Sequence, residues 1–232
     1  MRVEVVQRVL RANDALAEEL RARFDQAGVL AVSLIGSPGS GKTALLEQTV
    51  ARLHPRLAIG VIEGDIATTR DAERLARLGV RAVQIETRLV GNACHLDANM
   101  VRTALVRLPL QHLRFLFIEN VGHLACQVDY RLGEHLRVAV TSVPEGDDSP
   151  RKYPCAFAQA DAVVLTKIDL LPHVDFSMAA FDQALRDVCK GPCFALSART
   201  GRGLGAWVDW LEARRAACRW NAWLGSQRAA GR

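Results

Sequence analysis

With 232 residues, half of them apolar, the chain is long enough to close one α/β domain around a substantial core. It holds no run of 18 or more apolar residues, and Met1-Arg2-Val3-Glu4-Val5-Val6 lacks the apolar block of a secretion signal, so a cytoplasmic protein without a membrane span is expected. The net charge of +5 is spread along the sequence and thickens only after Leu211, which reads as a solvated end and not as a nucleic-acid-binding stripe. The six cysteines, with no Cys-x-x-Cys among them, are expected to be thiols or metal ligands and not disulfides.

Apolar positions at helical spacing over residues 3–26 predict a leading amphipathic helix that ends near Gly28. Next comes a β-branched run, Val29–Ile35, then Gly36-Ser37-Pro38-Gly39-Ser40-Gly41-Lys42-Thr43, then a helical stretch, Lys42–Leu53. Strand, loop and helix in that order make the loop a P-loop. Its glycines let backbone N–H groups turn toward a phosphate, and the helix N-terminus adds partial positive charge. Lys42 is placed to reach the β- and γ-phosphates, and the Thr43 hydroxyl to bind Mg²⁺. Further strands are predicted at Leu57–Glu63, Arg81–Ile85, Arg114–Glu119, Arg137–Val143, Ala162–Leu165 and Cys193–Leu196. Further helices are predicted at Thr68–Leu78, Leu96–Leu108, Phe176–Val188 and Leu204 to about Arg219. Unalternating apolar strands separated by helices predict an α/β fold, a parallel sheet with helices on both faces, with ligand at the strands' carboxyl ends.

The strand ends carry the chemistry. Glu119 closes an apolar strand as a Walker B acid for Mg²⁺, and Gly122 follows where a glycine can sense the γ-phosphate. Asp65 is a second candidate for Mg²⁺ or for positioning the attacking water. Thr166-Lys167-Ile168-Asp169 resembles the Asn-Lys-x-Asp element of GTPases, whose carboxylate accepts from the guanine N1–H and 2-amino groups; here Thr stands in place of Asn. Ser197-Ala198-Arg199 falls where GTPases carry Ser-Ala-Lys/Arg. GTP is therefore the expected substrate.

Several further segments extend the pattern: Glu63-Gly64-Asp65, Cys94-His95-Leu96-Asp97-Ala98, Glu119-Asn120-Val121-Gly122-x-Leu124-x-Cys126, Glu145-Gly146-Asp147-Asp148-x-Pro150-x-Lys152-Tyr153-Pro154, and Thr166 to Pro172. On these the chain, from about residue 29 to 211, resembles the HypB family of hydrogenase nickel-incorporation GTPases. The resemblance implies a P-loop NTPase fold with a SIMIBI-type G domain that forms a homodimer around GTP or GDP. It implies a site for Ni²⁺ or Zn²⁺ shared between subunits, built from Cys94, His95 and Cys126. It implies as partners a HypA-type metallochaperone and the large subunit of a [NiFe]-hydrogenase, and it gives Lys152 a reach to nucleotide across the dimer. Three departures are visible. No cysteine- or histidine-rich metal store precedes Val29, the loop Thr87–Ala93 is a few residues longer than the family form, and residues 212–232 add a basic, Trp-bearing tail.

Thiolate and imidazole suit Ni²⁺ and Zn²⁺. Three ligands per chain leave an open position, which fits transfer better than storage. Cys126 lies four residues beyond Gly122, on the segment expected to rearrange when the γ-phosphate leaves, so nucleotide state is expected to reach the metal site. His123 is a candidate water-orienting residue, with a surface-loop or auxiliary metal role equally open. Trp207 and Trp210 are expected to pack on the sheet, Trp220 and Trp223 are open to a partner surface, and Cys155, Cys189, Cys193 and Cys218 are expected to be structural. Intrinsic hydrolysis is expected to be slow, near the ~10⁻⁴–10⁻² s⁻¹ of unassisted GTPases. The alternatives are a urease-accessory-type nickel GTPase and a non-catalytic nucleotide-dependent scaffold.

Overall fold

The computed structural model describes residues 2–54, 56–65, 70–87 and 94–230, with side chains described for all of these except 2–7, 65, 70–72 and 219–230. Helix α1 (Arg2–Ala27) runs into Gly28, whose φ of +66° turns the chain into the sheet. The alternation that follows is β1 (Leu30–Ile35), α2 (Lys42–Leu53), β2 (Ile59–Asp65), α3 (Arg70–Ala76), β3 (Arg81–Glu86), α4 (Ala98–Ala104) and β4 (Phe115–Glu119). Then come the short helix α5 (Leu124–Gln127), β5 (Leu136–Ser142), α6 (Ser149–Lys152), α7 (Pro154–Ala158), β6 (Ala162–Thr166), α8 (Met178–Arg186), β7 (Cys193–Ala195) and α9 (Leu204–Ala230).

The seven strands form one sheet in the order β3-β2-β4-β1-β5-β6-β7, and every pairing is parallel. All seven predicted strands are present, with their ends moved by a residue or two. Side-chain alternation divides β1 between two layers. Leu30, Val32 and Leu34 face α2, α3 and α9 through Leu45, Val50, Leu75 and Trp207. Ala31 faces α1 and α4, through Phe24 and Val101, and Ile35 faces α7 and α8, through Phe157 and Phe181. Burial on both faces explains why these strands read as continuous apolar runs.

Two expectations are corrected. The helix expected over Leu96–Leu108 stops at Ala104, and the chain tightens into 3₁₀ turns at Leu105–Arg107 and Leu110–His112 on either side of Pro109, which cannot donate to a continuing helix. Of the four cysteines taken as structural, Cys189 alone is buried; Cys155 and Cys193 are exposed and Cys218 is half-buried. Trp207 is fully buried, donates from Nε1 to Thr49 Oγ1 at 2.9 Å and stacks on Trp210, as expected of a helix packed on the sheet. Helix α9 continues through the tail to Ala230, whereas the side chains of Trp220 and Trp223 lie outside the described residues.

Candidate nucleotide and thiol site

The loop after β1 begins where the chain leaves the ladder. A Cβ on Gly36 would lie 2.4 Å from Val140 O and 2.7 Å from Ser40 Oγ, so only glycine permits this approach. Lys42, buried at the start of α2, folds back over the loop and donates to Gly36 O at 2.8 Å and Ser37 O at 3.1 Å. A phosphate oxygen offers the ammonium the same geometry with a full charge. Thr43 Oγ1 donates to Glu119 Oε1 at 2.8 Å, so the two expected Mg²⁺ residues meet. Their oxygens are the hard donors that Mg²⁺ takes. Asp65 ends β2, but its side chain lies outside the described residues. Lys42, Thr43, Glu63, Arg74, Glu119 and Gly122 border one cavity of about 410 Å³.

The loop after β6 closes on the P-loop. Thr166 Oγ1 donates to Ser40 O at 2.5 Å, and Lys167 Nζ donates to Gly39 O at 2.6 Å. Threonine in place of asparagine thus still ties this loop to the P-loop backbone. Asp169 Oδ1 accepts from Ser197 Oγ at 2.6 Å, and Ser197 Oγ in turn accepts from Thr200 N–H at 3.2 Å. Ser197 therefore sits beside the Asp169 carboxylate.

Cys94 and His95 lie against the segment that leads from Gly122 to Cys126. Cys94 Sγ lies 3.9 Å from His95 Nδ1, and the His95 ring stacks on Tyr130 with centroids 3.8 Å apart. Burial lowers the His95 pKa against the pull of Asp97 and Asp129, which favours the neutral ring a metal requires. A hydrogen bond with Cys94 holds the Cys126 thiol above its ordinary pKa. The three ligand atoms do not all converge within 4.8 Å of one another. The segment beside them is the one expected to sense phosphate. Gly122, at φ +93°, packs so closely on the Cys94 carbonyl that a Cβ there would come within 1.9 Å of Cys94 O. Asn120 Oδ1 accepts from Leu96 N–H and Val121 N–H, both at 2.9 Å.

Residues 30–194 match the family described as CobW/HypB/UreG, nucleotide-binding domain. The chain is 48% identical over 218 residues to the hydrogenase maturation factor HypB of Rhizobium leguminosarum bv. viciae, covering 92% of this chain and 72% of that one. The chain belongs to the HypB family. Two solved HypB structures are similar over most of the chain. The protein from Archaeoglobus fulgidus is 36% identical with a TM-score of 0.82, over 88% of this chain and 99% of its own. The protein from Helicobacter pylori, solved in complex with nickel, is 36% identical with a TM-score of 0.83, over 89% of this chain and 96% of its own.

Within this HypB fold, several expected residues stand apart. Lys152 is exposed on α6, pairs with Asp148 at 2.7 Å and does not border the nucleotide cavity of its own chain. With Tyr153 and Pro154 it borders a second cavity of about 310 Å³ against α5. His123 is exposed and starts α5 without a side-chain cap bond. Residues 88–93 of the long loop lie outside the described residues.

Glu63 and Asn120 stand in the sequence motifs without a role of their own, and the sequence reading missed Arg74 and Gln127. Glu63 pairs in register with Glu119 on the neighbouring strand, and both are buried at the cavity. Arg74 reaches the cavity from α3 and is held by Glu47 at 2.7 Å. The reading also missed Asp25, His135 and Cys218, whose ligand atoms lie within 4.8 Å of one another at the opposite end of the sheet. This cluster is not poised for metal. His135 Nδ1 accepts from Ala31 N–H at 3.0 Å, so Nε2 carries the proton and meets Asp25 Oδ1 at 2.9 Å. The neutral ring has no lone pair left for an ion.

Proposed function

We propose that this chain is a GTP-hydrolysing metallochaperone that delivers nickel during maturation of a [NiFe]-hydrogenase. The observation that carries the reading is the shared segment 120–126. Its Gly122 borders the phosphate cavity and rests on the Cys94 carbonyl, while Cys126 lies four residues further along the same segment. Nucleotide chemistry and thiol chemistry therefore act on the same few backbone atoms. The nickel complex of the similar Helicobacter pylori protein supports the metal part of the reading.

In this reading Lys42 exchanges its loop carbonyls for the β- and γ-phosphate oxygens. Thr43 and Glu119 would hold Mg²⁺, which would supply charge neutralisation at the phosphates. Asp65 positions water or the Mg²⁺ shell. Asp169, oriented by Ser197, reads guanine. Cys94, His95 and Cys126 bind Ni²⁺ as cargo, or Zn²⁺ in its place, and a second subunit completes the ligand set. Lys152 serves nucleotide from that second subunit, which its exposed position on α6 permits. Dimerisation thus follows nucleotide binding, and turnover without a partner stays slow. A HypA-type metallochaperone supplies or receives nickel, and the hydrogenase large subunit takes it.

The test is titration of Ni²⁺ and Zn²⁺ into the protein in its GDP-bound and GTP-analogue-bound states, with oligomer mass followed in parallel. A nucleotide-dependent metal affinity that is lost in Cys94→Ala supports the carrier. Absence of specific metal binding in both states would refute it and leave a nucleotide switch that organises partners. Single-turnover hydrolysis separates the carrier from a scaffold without turnover.

A further inference from the structure

Gln127 is fully buried, yet neither nucleotide nor metal chemistry uses its side chain. Its carboxamide makes three hydrogen bonds to backbone. Oε1 accepts from Gly36 N–H at 2.9 Å, and Nε2 donates to Val121 O at 2.9 Å and Gly122 O at 3.0 Å. This is the one amide orientation that sets donors against acceptors, and it uses both N–H groups. Gly36 is the root of the P-loop, Val121 and Gly122 border the phosphate cavity, and Gln127 directly follows Cys126 on the four-residue helix α5.

We infer that Gln127 is a positioning residue that transmits the nucleotide state of the P-loop to the Cys126 thiol. Two features make the transmission mechanical. First, the segment 120–122 is held from both sides. Asn120 Oδ1 grips the Leu96 N–H of the thiol loop, and the Gln127 amide grips the two carbonyls that follow. Second, Cys126 and Gln127 share one helical turn, started by Cys126 N–H donating to His123 O at 3.0 Å. A movement of Gly122 toward or away from a γ-phosphate therefore drags the amide, and the turn that carries the thiol rotates with it. The Gly36 bond gives this lever a fixed point. It adds a second side-chain tie between the P-loop region and the segment after β4, beside the bond of Thr43 to Glu119.

This inference rests on the proposed nucleotide-gated metal carrier, and the experiment separates the two. The ratio of Ni²⁺ dissociation constants with GDP and with guanosine β,γ-imidotriphosphate is measured for the native protein, Gln127→Met and Gln127→Glu. Couplings of this type range over about 5- to 150-fold. Gln127→Met, similar in length but unable to hydrogen-bond, should bring the ratio to unity while GDP still binds. Gln127→Glu keeps the acceptor for Gly36 N–H and loses both donors, so it should also lose the ratio. A residue that only supports the fold would lower melting temperature and both Ni²⁺ affinities together, with the ratio intact, and that result overturns the inference. If the native ratio is itself unity, the carrier reading falls first and the inference falls with it. Amide exchange in the native protein gives a check that needs no variant. Exchange of nucleotide should change protection at Gly36 and across residues 121–127 together, and a change in the second without the first overturns the role of Gln127.

Discussion

Replacing Gly122 by alanine tests the contact on which the proposed function depends. Two costs add. At φ +93° an L-residue is strained by about 1–2 kcal/mol. The new Cβ would start 1.9 Å from Cys94 O, and reaching the 3.4 Å of ordinary contact takes a backbone shift of about 1.5 Å. Overpacking of that kind costs about 1–3 kcal/mol, for a total of about 2–5 kcal/mol. At roughly 2–4 °C per kcal/mol for a chain of this size, the melting temperature should fall by about 4–20 °C. Gly28→Ala is the control. Gly28 has a positive φ of +66° but nothing within 4 Å of its built Cβ, so strain alone should lower its melting temperature by about 2–8 °C. Calorimetry of both variants, followed by Ni²⁺ titration with GDP present, reads the difference. Gly122→Ala should weaken Ni²⁺ by displacing the Cys94 backbone, and Gly28→Ala should not. Equal melting losses with unchanged Ni²⁺ affinity would mean that Gly122 does not bear on Cys94.

Three other measurements probe the supporting structure. Ser197→Ala removes the donor to Asp169; a hydrogen bond to a charged group is worth about 1.5–3 kcal/mol, so GDP should bind roughly 10- to 150-fold more weakly, and an unchanged affinity in a fluorescence titration would deny Ser197 that role. Arg137→Met should cost about 3–5 kcal/mol, because it leaves the Glu134 carboxylate its bonds from Leu132 N–H and Ser33 Oγ but removes its cation, and frees Val128 O and Tyr130 O; a denaturation midpoint equal to the native value would contradict this. Burial holds the His135 pKa below its unfolded value near 6.5, so the folded state binds fewer protons. Its contribution is complete above about pH 6.5 and is lost as pH falls through the unfolded and then the folded pKa. Melting curves from pH 7.5 to 5 should fall for the native chain and fall less steeply for His135→Asn, in which half-buried His95 still contributes, and parallel curves would refute the assignment.

The parts of this molecule that were legible in the sequence are those whose signal is local. The P-loop is a run of eight residues between a β-branched strand and a helix, and α2 occupies the residues expected of it, Lys42–Leu53. The strands read clearly because burial on both faces makes them continuous apolar runs. Other features arise only when distant segments meet. Gln127 has no motif around it, and its meaning comes from a partner 91 residues away. Glu63 becomes a cavity residue through its register with Glu119, and strand register between parallel neighbours is set by the whole sheet. His135 needs Asp25, 110 residues earlier, to make sense. Helices α5, α6 and α7 have only four or five residues each, too few to show a period.

The two ends of the nucleotide cleft are attached to different parts of the P-loop. Thr166 and Lys167 hold its tip at Ser40 and Gly39, whereas Gln127 holds its root at Gly36, two strands away from β6. On the proposed function, a guanine would meet the tip, away from the thiols, whereas a terminal phosphate would meet Gly122 beside the root. The metal side of such a molecule would then respond to how many phosphates the bound nucleotide carries. In a cell it would follow the ratio of GTP to GDP, and not their total concentration.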